Sequence, residues 1–216
     1  MGKYSTKGGY GAYDKNNKER DALDYYATPP EEVLNILEQY HPNFDNVVIL
    51  EHCCGGGHMV EGIVMYCEKY YYTPKRIIAT DIKDRGAKKY IDRDYIEYYF
   101  GDEYDYLSDT YPFFSVDYII MNPPFSVITP FVLRSLEITQ NIIMLGRTKF
   151  IETIGRYKKI FEPHPFDYMY QYIDRVACYK NGDFTLNPDS IEAYAWFVWE
   201  KEKITFYPFI KWIRRK

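Results

Sequence analysis

The clearest indication of the fold is an apolar run, Val47-Val48-Ile49-Leu50. It is followed directly by the polar and glycine-rich stretch Glu51-His52-Cys53-Cys54-Gly55-Gly56-Gly57-His58. A continuous apolar run predicts a parallel strand that is buried on both of its faces. The glycines that follow let the backbone approach a ligand closely before the next helix, which we predict over 59–72. This arrangement is typical of many nucleotide-binding α/β folds, and alone it does not choose among them.

Strands and helices alternate through the rest of the chain. Further strands are predicted at 76–80, 95–100, 118–121 and 141–145, and further helices at 131–137 and 151–161. The last third predicts strands at 168–173, 176–179, 193–199 and 205–212, with a turn at Asn181-Gly182. We therefore predict a Rossmann-like α/β fold: a mostly parallel twisted sheet flanked by helices, with an antiparallel, strand-rich C-terminal edge.

The N-terminal region divides into two parts. Residues 1–22 are rich in Gly, Lys, Asn and Tyr without periodicity, which predicts a flexible arm. A helix is predicted to start at Thr28-Pro29-Pro30-Glu31-Glu32, with the Thr28 hydroxyl as its cap. Residues 23–216 then form a single domain, which leaves little room for a large separate target-recognition domain.

Composition excludes several classes of protein. The chain has 216 residues, 46% of them hydrophobic and 27% charged, and a net charge of −4, which argues against a protein that coats nucleic acid. No apolar run approaches the roughly 20 residues that span a bilayer. The cysteines show no disulfide spacing, and we expect a cytoplasmic protein without a signal peptide. Residues 147–159 form a basic stretch that suits phosphate contacts or a solvated face equally.

The tetrapeptide Asn122-Pro123-Pro124-Phe125 follows the predicted strand 118–121 and carries the chemistry. Two prolines fix the backbone and remove two donors, so the neighbouring carbonyls point outward in a rigid arrangement. Asn122 adds a side-chain carbonyl acceptor and Phe125 a flat stacking face. Two acceptors that take the N–H bonds of a planar NH2 group draw its lone pair toward an electrophile. A turn that merely ends a strand is the alternative.

Acids follow the other predicted strands of the same half. Asp81 ends the second strand, where an acid can accept from ribose hydroxyls, and Asp102 follows the third, where it can accept from an adenine amine. His52, Cys53, Cys54 and His58 match no common zinc signature, so we expect buried thiols in a loop and no metal.

These motifs resemble, in this order, those of class I S-adenosylmethionine-dependent N6-adenine DNA methyltransferases of the small phage or prophage type. The likeness covers about residues 24–150, and includes Tyr26-Ala27-Thr28-Pro29 as the family's N-terminal motif. His52 departs from the proline or small residue that the family usually has there. The C-terminal stretch from Tyr194 to Trp199 is similar to the same enzymes more loosely.

The resemblance implies S-adenosyl-L-methionine as the cofactor and DNA as the partner, with no metal and no membrane. It implies catalytic roles for Asn122, Pro123, Pro124 and Phe125. Cofactor contacts are implied for Tyr26, Thr28, Pro29, Glu51, Cys53, Gly55, Gly57, Asp81, Ile82, Asp102 and Asn122. Nucleic-acid contacts are expected from Phe125, Arg147, Lys149 and Arg156. The oligomeric state and the recognition sequence stay open.

Three alternatives stay open as well. The same chemistry could act on adenine in RNA or on a protein glutamine amide. A nicotinamide oxidoreductase would share the glycine loop but has no use for the tetrapeptide. A non-catalytic nucleic-acid-binding protein could keep the same fold.

Overall fold

The structure is a computed structural model, and it describes residues 25–176, 178–180, 182–185, 192–202 and 207–215. The predicted arm 1–22 lies outside these residues, as do Asn181 of the predicted turn and the start of the predicted strand 205–212.

Ten strands and five α-helices are present in the described residues. The strands are β1 Tyr26–Ala27, β2 Val48–Glu51, β3 Arg76–Asp81, β4 Ile96–Phe100, β5 Tyr118–Met121, β6 Ile142–Arg147, β7 Tyr168–Tyr172, β8 Tyr179–Lys180, β9 Tyr194–Trp199 and β10 Phe209–Ile213. The helices are α1 Pro30–Tyr40, α2 His58–Tyr70, α3 Ala87–Tyr90, α4 Ile128–Ile138 and α5 Ile154–Arg156.

Eight of these strands form one sheet in the order β10-β7-β9-β6-β5-β2-β3-β4. β9 runs antiparallel to both of its neighbours, β6 and β7, while every other pair in the sheet is parallel. The predicted mostly parallel sheet with antiparallel pairing toward its C-terminal edge is confirmed. A separate two-stranded sheet pairs β1 with β8.

The sheet is covered on both faces at β2 and β9, which are buried along their whole length. One core cluster includes Ile36 of α1, Ile63 of α2 and Ile49 of β2. The other includes Val132 of α4 and Phe197 of β9. Strands that are buried on both faces read as continuous apolar runs, which is why their positions could be predicted from the sequence.

Two predictions about helices are wrong, the cap of α1 and the helix 151–161. Thr28 does not cap α1: Pro29 occupies the cap position without a side-chain cap bond, and the Thr28 hydroxyl instead accepts from Asn122 Nδ2 at 3.0 Å. The predicted helix 151–161 is broken, because Thr153 adopts φ of 88°. A 3₁₀ turn Thr148–Ile151 precedes this break, and α5 and a π-helical turn Tyr157–Phe161 follow it.

The sheet order reverses beside β2, whose neighbours are β3 on one side and β5 on the other. In open parallel sheets, ligands bind in the crevice outside the carboxyl ends of the strands at such a switch point. Glu51, Asp81 and Asn122 lie at the carboxyl ends of β2, β3 and β5, so the topology brings together residues that are far apart in the chain.

Candidate active site

The glycine loop between β2 and α2 is held by the chain's own acceptors. The Gly55 N–H donates to Asp81 Oδ2 at 2.9 Å, and the Gly57 N–H donates to the Cys54 carbonyl at 2.8 Å. Gly55 and Gly57 adopt φ of 51° and 88°, which favours glycine at both positions. The loop therefore has a defined backbone conformation and is hydrogen-bonded to Asp81 at the end of β3.

Tyr25 lies over this loop and was missed in the sequence. Its hydroxyl accepts from the Gly56 N–H at 2.8 Å. A Cβ atom added at Gly55 would lie 2.1 Å from the Tyr25 ring, so glycine is required for this approach. The Arg85 guanidinium lies 4.4 Å from the centre of the same ring. In a chain with 25 tyrosines, no sequence signal singled out Tyr25.

Glu51 is buried, with 1% of its surface exposed, at the end of β2. Its Oε1 accepts from the Cys53 N–H at 3.1 Å and from the Cys53 thiol at 3.3 Å. Its Oε2 is buried without a hydrogen-bond partner among the described residues. Burial raises the pKa of Glu51 to about 8, because a charge in a low-dielectric site loses its hydration.

Cys53 links the loop to the tetrapeptide. Its Sγ lies 3.3 Å from Glu51 Oε1 and 3.4 Å from the Asn122 carbonyl oxygen. Burial raises the pKa of this thiol well above its ordinary value, so it stays protonated and acts as a donor. The predicted cofactor residue Cys53 thus touches both halves of the candidate site.

His52 is a buried core residue. Its ring stacks on Tyr106 with centroids 3.7 Å apart, and its Nε2 lies 3.4 Å from the Ser135 hydroxyl. Burial lowers the pKa of His52 to about 3, so the imidazole is neutral. The His52 side chain fills space between the sheet and α4, where Phe131 also packs against it.

Asn122 is held by one end of its amide. Its Nδ2 donates to the Tyr26 carbonyl at 3.1 Å and to Thr28 Oγ1 at 3.0 Å. A backbone carbonyl can only accept, so this pairing fixes which end of the amide is nitrogen. Asn122 Oδ1 is buried and has no partner among the described residues. The N-terminal motif therefore orients the amide, and leaves one strong acceptor open.

Phe125 lies within a cluster of aromatic and cationic side chains. Its ring centroid is 5.7 Å from that of Tyr26 and 5.9 Å from that of Tyr194. The Arg147 guanidinium lies 4.2 Å from the ring centre. A flat ligand that stacks on that face of Phe125 would have to take the place of Arg147. The Pro124 carbonyl accepts from the Val127 N–H at 3.0 Å, which closes the turn behind Phe125.

The other basic candidates are engaged locally. Arg147 and Lys149 both contact Glu192 Oε1, at 3.3 and 2.9 Å. Arg156 donates to the carbonyls of Lys149 and Phe150 at 3.2 and 3.3 Å, which secures the turn after β6. The Arg147 side chain therefore lies against the aromatic cluster around Phe125, whereas the Arg156 side chain is hydrogen-bonded to backbone carbonyls.

The remaining predicted residues lie around the same edge of the sheet. Asp81 ends β3 with its Oδ1 accepting from the Lys83 N–H at 3.0 Å, and Ile82 follows it, half-buried. Asp102 is exposed in a 3₁₀ turn directly after β4. Since β3 and β4 pair with Asp81 opposite Phe100, both acids lie at one end of the sheet, as the sequence predicts. Their contacts to a cofactor stay a prediction.

In the part of the chain that the structure describes, no cluster of three or more His, Cys, Asp or Glu residues could hold a metal ion. Over the same residues, no helix is both long and apolar enough to cross a bilayer.

Comparisons with known proteins give structural likeness only. A scan of protein-family models gives no match, and a search of curated proteins gives none either. A solved structure of a candidate RNA methyltransferase from Pyrococcus horikoshii matches with a TM-score of 0.60 and 17% identity, over 86% of this chain and 90% of that one.

Two further solved structures extend this likeness. A candidate class I S-adenosylmethionine-dependent methyltransferase from Listeria monocytogenes has a TM-score of 0.59 and 13% identity, over 88% of this chain and 65% of that one. The methyltransferase subunit of a type I restriction-modification system from Streptococcus thermophilus has a TM-score of 0.61 and 10% identity, over 89% and 47%. The chain thus spans about half of that subunit. The predicted fold class, Rossmann-like as in class I methyltransferases, is confirmed.

Proposed function

We propose that this chain transfers a methyl group from S-adenosyl-L-methionine to the exocyclic N6 amine of adenine in DNA. The observation that carries the proposal is the Asn122 amide, whose Nδ2 is anchored by Tyr26 and Thr28 while its buried Oδ1 has no partner among the described residues. An unsatisfied buried acceptor is costly unless a ligand supplies a donor. An aromatic amine supplies that donor at the end of a flat ring.

The residues present fit the cofactor by their chemistry. Glu51, Asp81 and Asp102 are carboxylates, and the cofactor carries an ammonium group, ribose hydroxyls and an adenine amine that donate to such oxygens. Glu51 Oε2 is buried and unpartnered among the described residues, as expected of an atom that takes a donor from a ligand. A cation beside Glu51 would also favour its charged form, which burial alone disfavours.

The tetrapeptide would act on the target base. In a duplex the adenine has to leave the stack to reach a buried site. We infer that it stacks on Phe125 in place of Arg147, while Asn122 Oδ1 and the Pro123 carbonyl accept hydrogen bonds from its two amine N–H groups. When bound, the cofactor would supply a methyl group on sulfonium sulfur. The N6 lone pair would form the new N–C bond as the C–S bond breaks, with its electron pair staying on sulfur, and the proton lost from N6 would pass to solvent water.

Asn122 holds the amine without itself accepting a proton, because an amide is not basic at neutral pH. Its contribution is orientation and electrostatic stabilisation of the developing positive charge on N6. No covalent enzyme intermediate is needed, and the protonated thiol of Cys53 is a donor in this scheme rather than a nucleophile.

We extend the resemblance in three further proposals. Residues 23–216 form a single methyltransferase domain, within which sequence recognition comes from loops around 147–165 and 180–190. The protein acts in the cytoplasm, where its cysteines stay reduced. Its origin is a phage or prophage.

Substituting Asn122 tests the proposed function directly. We expect Asn122→Ala to lower the rate of methyl transfer to DNA by roughly 10²- to 10³-fold, the usual cost of removing one such group. The Kd for S-adenosylmethionine should stay within about threefold of the wild type. Asn122→Asp is the comparison variant: it restores an acceptor at the same place but loses the donor to the Tyr26 carbonyl, so its activity should lie between those of Asn122→Ala and the wild type. A non-catalytic binding protein would show no transfer in the wild type and no change in Kd.

A further inference from the structure

The border strand β10 exposes large side chains on a face of the sheet that no described element covers. Ile210 and Trp212 are 62% and 70% exposed. Ile210 lies in register with Met169 of β7 and Trp212 with Gln171, so both side chains point to the face of the sheet that Met169 shares. The opposite face of β10 is occupied, because Lys211 lies on the rings of Tyr168 and Tyr170 and Ile213 is buried.

Positive charge surrounds these two side chains. Arg214 and Arg215 follow β10 and are exposed. On the same face, Ile160 of the π-helical turn shares a core cluster with Met169, and the exposed Lys158 and Lys159 precede it in that turn. Exposed Glu162 follows the turn, and exposed Asp174 accepts from the Arg215 N–H at 3.0 Å. The four basic residues still outnumber these two acids, in a chain whose net charge is −4. We call Lys158, Lys159, Ile210, Trp212, Arg214 and Arg215 the edge-strand surface.

The edge-strand surface and the candidate active site meet at the carboxyl edge of the sheet. Their side chains point to opposite faces, because Trp212 shares the face of Met169 while Phe125 packs in the core cluster of the other face. β10 runs in the same direction as β2 and β5, so Arg214 and Arg215 lie at the carboxyl edge of the sheet with Asn122. Register partners on neighbouring strands connect Trp212 with Gln171 of β7, then Ala195 of β9, then Gly146 of β6. Gly146 directly precedes Arg147 in the chain. Three strand spacings place Trp212 about 14 Å from this end of β6. About four nucleotides of one strand span that distance.

Resting on the proposed function, we propose that the edge-strand surface binds the nucleic acid that flanks the target nucleotide. Its cations neutralise backbone phosphates, and Trp212 packs against a sugar or a base. Edge-to-edge pairing of β10 with a second copy of the chain fits less well, because it would cover the backbone edge of the strand and leave the face that carries Ile210 and Trp212 exposed.

The first test removes two cations, using Arg214→Gln with Arg215→Gln. The matched control is Lys88→Gln with Lys89→Gln, which removes the same charge from α3, next to the opposite border of the sheet. The probe is a fluorescein-labelled DNA duplex of about 25 base pairs, with anisotropy followed over a range of salt concentrations. We expect the arginine variant to bind roughly tenfold more weakly, with a salt slope smaller by about 2, and the control to match the wild type.

The second test uses Trp212→Ala, whose side chain is exposed enough that the fold should persist by circular dichroism. We expect a higher KM for DNA, with kcat and the Kd for S-adenosylmethionine unchanged.

Three outcomes overturn the inference. One is unchanged binding and KM in the variants while the wild type methylates DNA, which would leave the proposed function intact. Another is a wild type that binds no duplex. The last is a dimer of the wild type, seen by sedimentation, that Trp212→Ala dissociates without loss of DNA binding. Because binding is measured without turnover, failure of the proposed chemistry and failure of this surface are distinguishable.

Discussion

The glycine loop Glu51–Gly57 and the tetrapeptide Asn122–Phe125 occupy neighbouring strand ends and share one property. Each follows a buried strand of the sheet, and each holds a buried side-chain oxygen without a partner among the described residues: Glu51 Oε2 in the loop and Asn122 Oδ1 in the tetrapeptide. Both regions therefore present acceptors to a ligand that brings donors.

The two regions differ in charge and in how they are held. Glu51 is ionisable, with a pKa raised to about 8, whereas the Asn122 amide does not titrate. The N–H groups of Gly55, Gly56 and Gly57 all donate to the chain itself. The loop therefore suits a cationic ligand, and its ligand binding should respond to pH. The tetrapeptide suits a neutral amine and should not.

The largest expected effect is on stability, and it concerns Glu51 alone. Its folded pKa of about 8 lies above its ordinary value of 4.5, so the folded state binds more protons between these values. Stability therefore falls as pH rises from about 4.5 to 8, by at most about 5 kcal/mol. Urea unfolding at several pH values should show that Glu51→Gln loses this component. An equal pH dependence in the variant would contradict the assigned pKa.

The next effect concerns the stacking face of the tetrapeptide. Phe125→Ala should lower kcat/KM for DNA roughly 10- to 100-fold, since base stacking contributes about 1–3 kcal/mol. Phe125→Tyr keeps the flat ring and serves as the control, with activity close to the wild type. Steady-state kinetics at saturating cofactor make the comparison. If alanine were tolerated, the base would not stack there.

A smaller effect separates the two regions by pH. If the Glu51 carboxylate holds the ammonium group of the cofactor, binding requires its deprotonated form. The affinity for S-adenosylmethionine should then rise about tenfold from pH 6 to pH 7 in the wild type, below the range in which the ligand's own α-amino group loses its proton, and stay flat in Glu51→Gln. Calorimetric titration in two buffers of different ionisation enthalpy would also detect the released proton. A pH-independent wild type would remove Glu51 from the cofactor site.

The smallest expected effect tests whether the Gly56 N–H stabilises the fold through Tyr25 or is available to a ligand. Tyr25→Phe removes the hydroxyl that accepts from the Gly56 N–H, and should cost about 1 kcal/mol of stability. The Kd for the cofactor should stay within about threefold of the wild type. Tighter cofactor binding in the variant would mean that the ligand itself uses this N–H, and the contrast between the two regions would fail.

Much of the fold could be predicted because buried parallel strands carry a strong local signal. The strand Tyr118–Met121 has the bounds that the apolar run predicts, and the bounds of β2, β3 and β6 differ from the predicted ones by one or two residues. The helix 151–161 was wrong because a basic, partly apolar stretch carries no mark of the positive φ at Thr153.

The candidate site was predictable where it lies at strand ends and not where it depends on distant pairing. Asn122 could be singled out from its prolines, but its anchoring by Thr28 depends on β1 lying beside the end of β5. The pairing of β1 with β8 joins residues that are far apart in the chain, and no local pattern specifies it. The contact between the Tyr25 hydroxyl and the Gly56 N–H likewise joins residues 31 positions apart in the chain.

The central claim is tested most directly by the identity of the methylated product. The purified chain would be incubated with isotopically labelled S-adenosylmethionine and, in parallel, with unmethylated DNA and with RNA, followed by digestion and nucleoside mass spectrometry. We expect labelled N6-methyldeoxyadenosine in DNA. Label found only in RNA, or in neither polymer while the cofactor still binds, would contradict it.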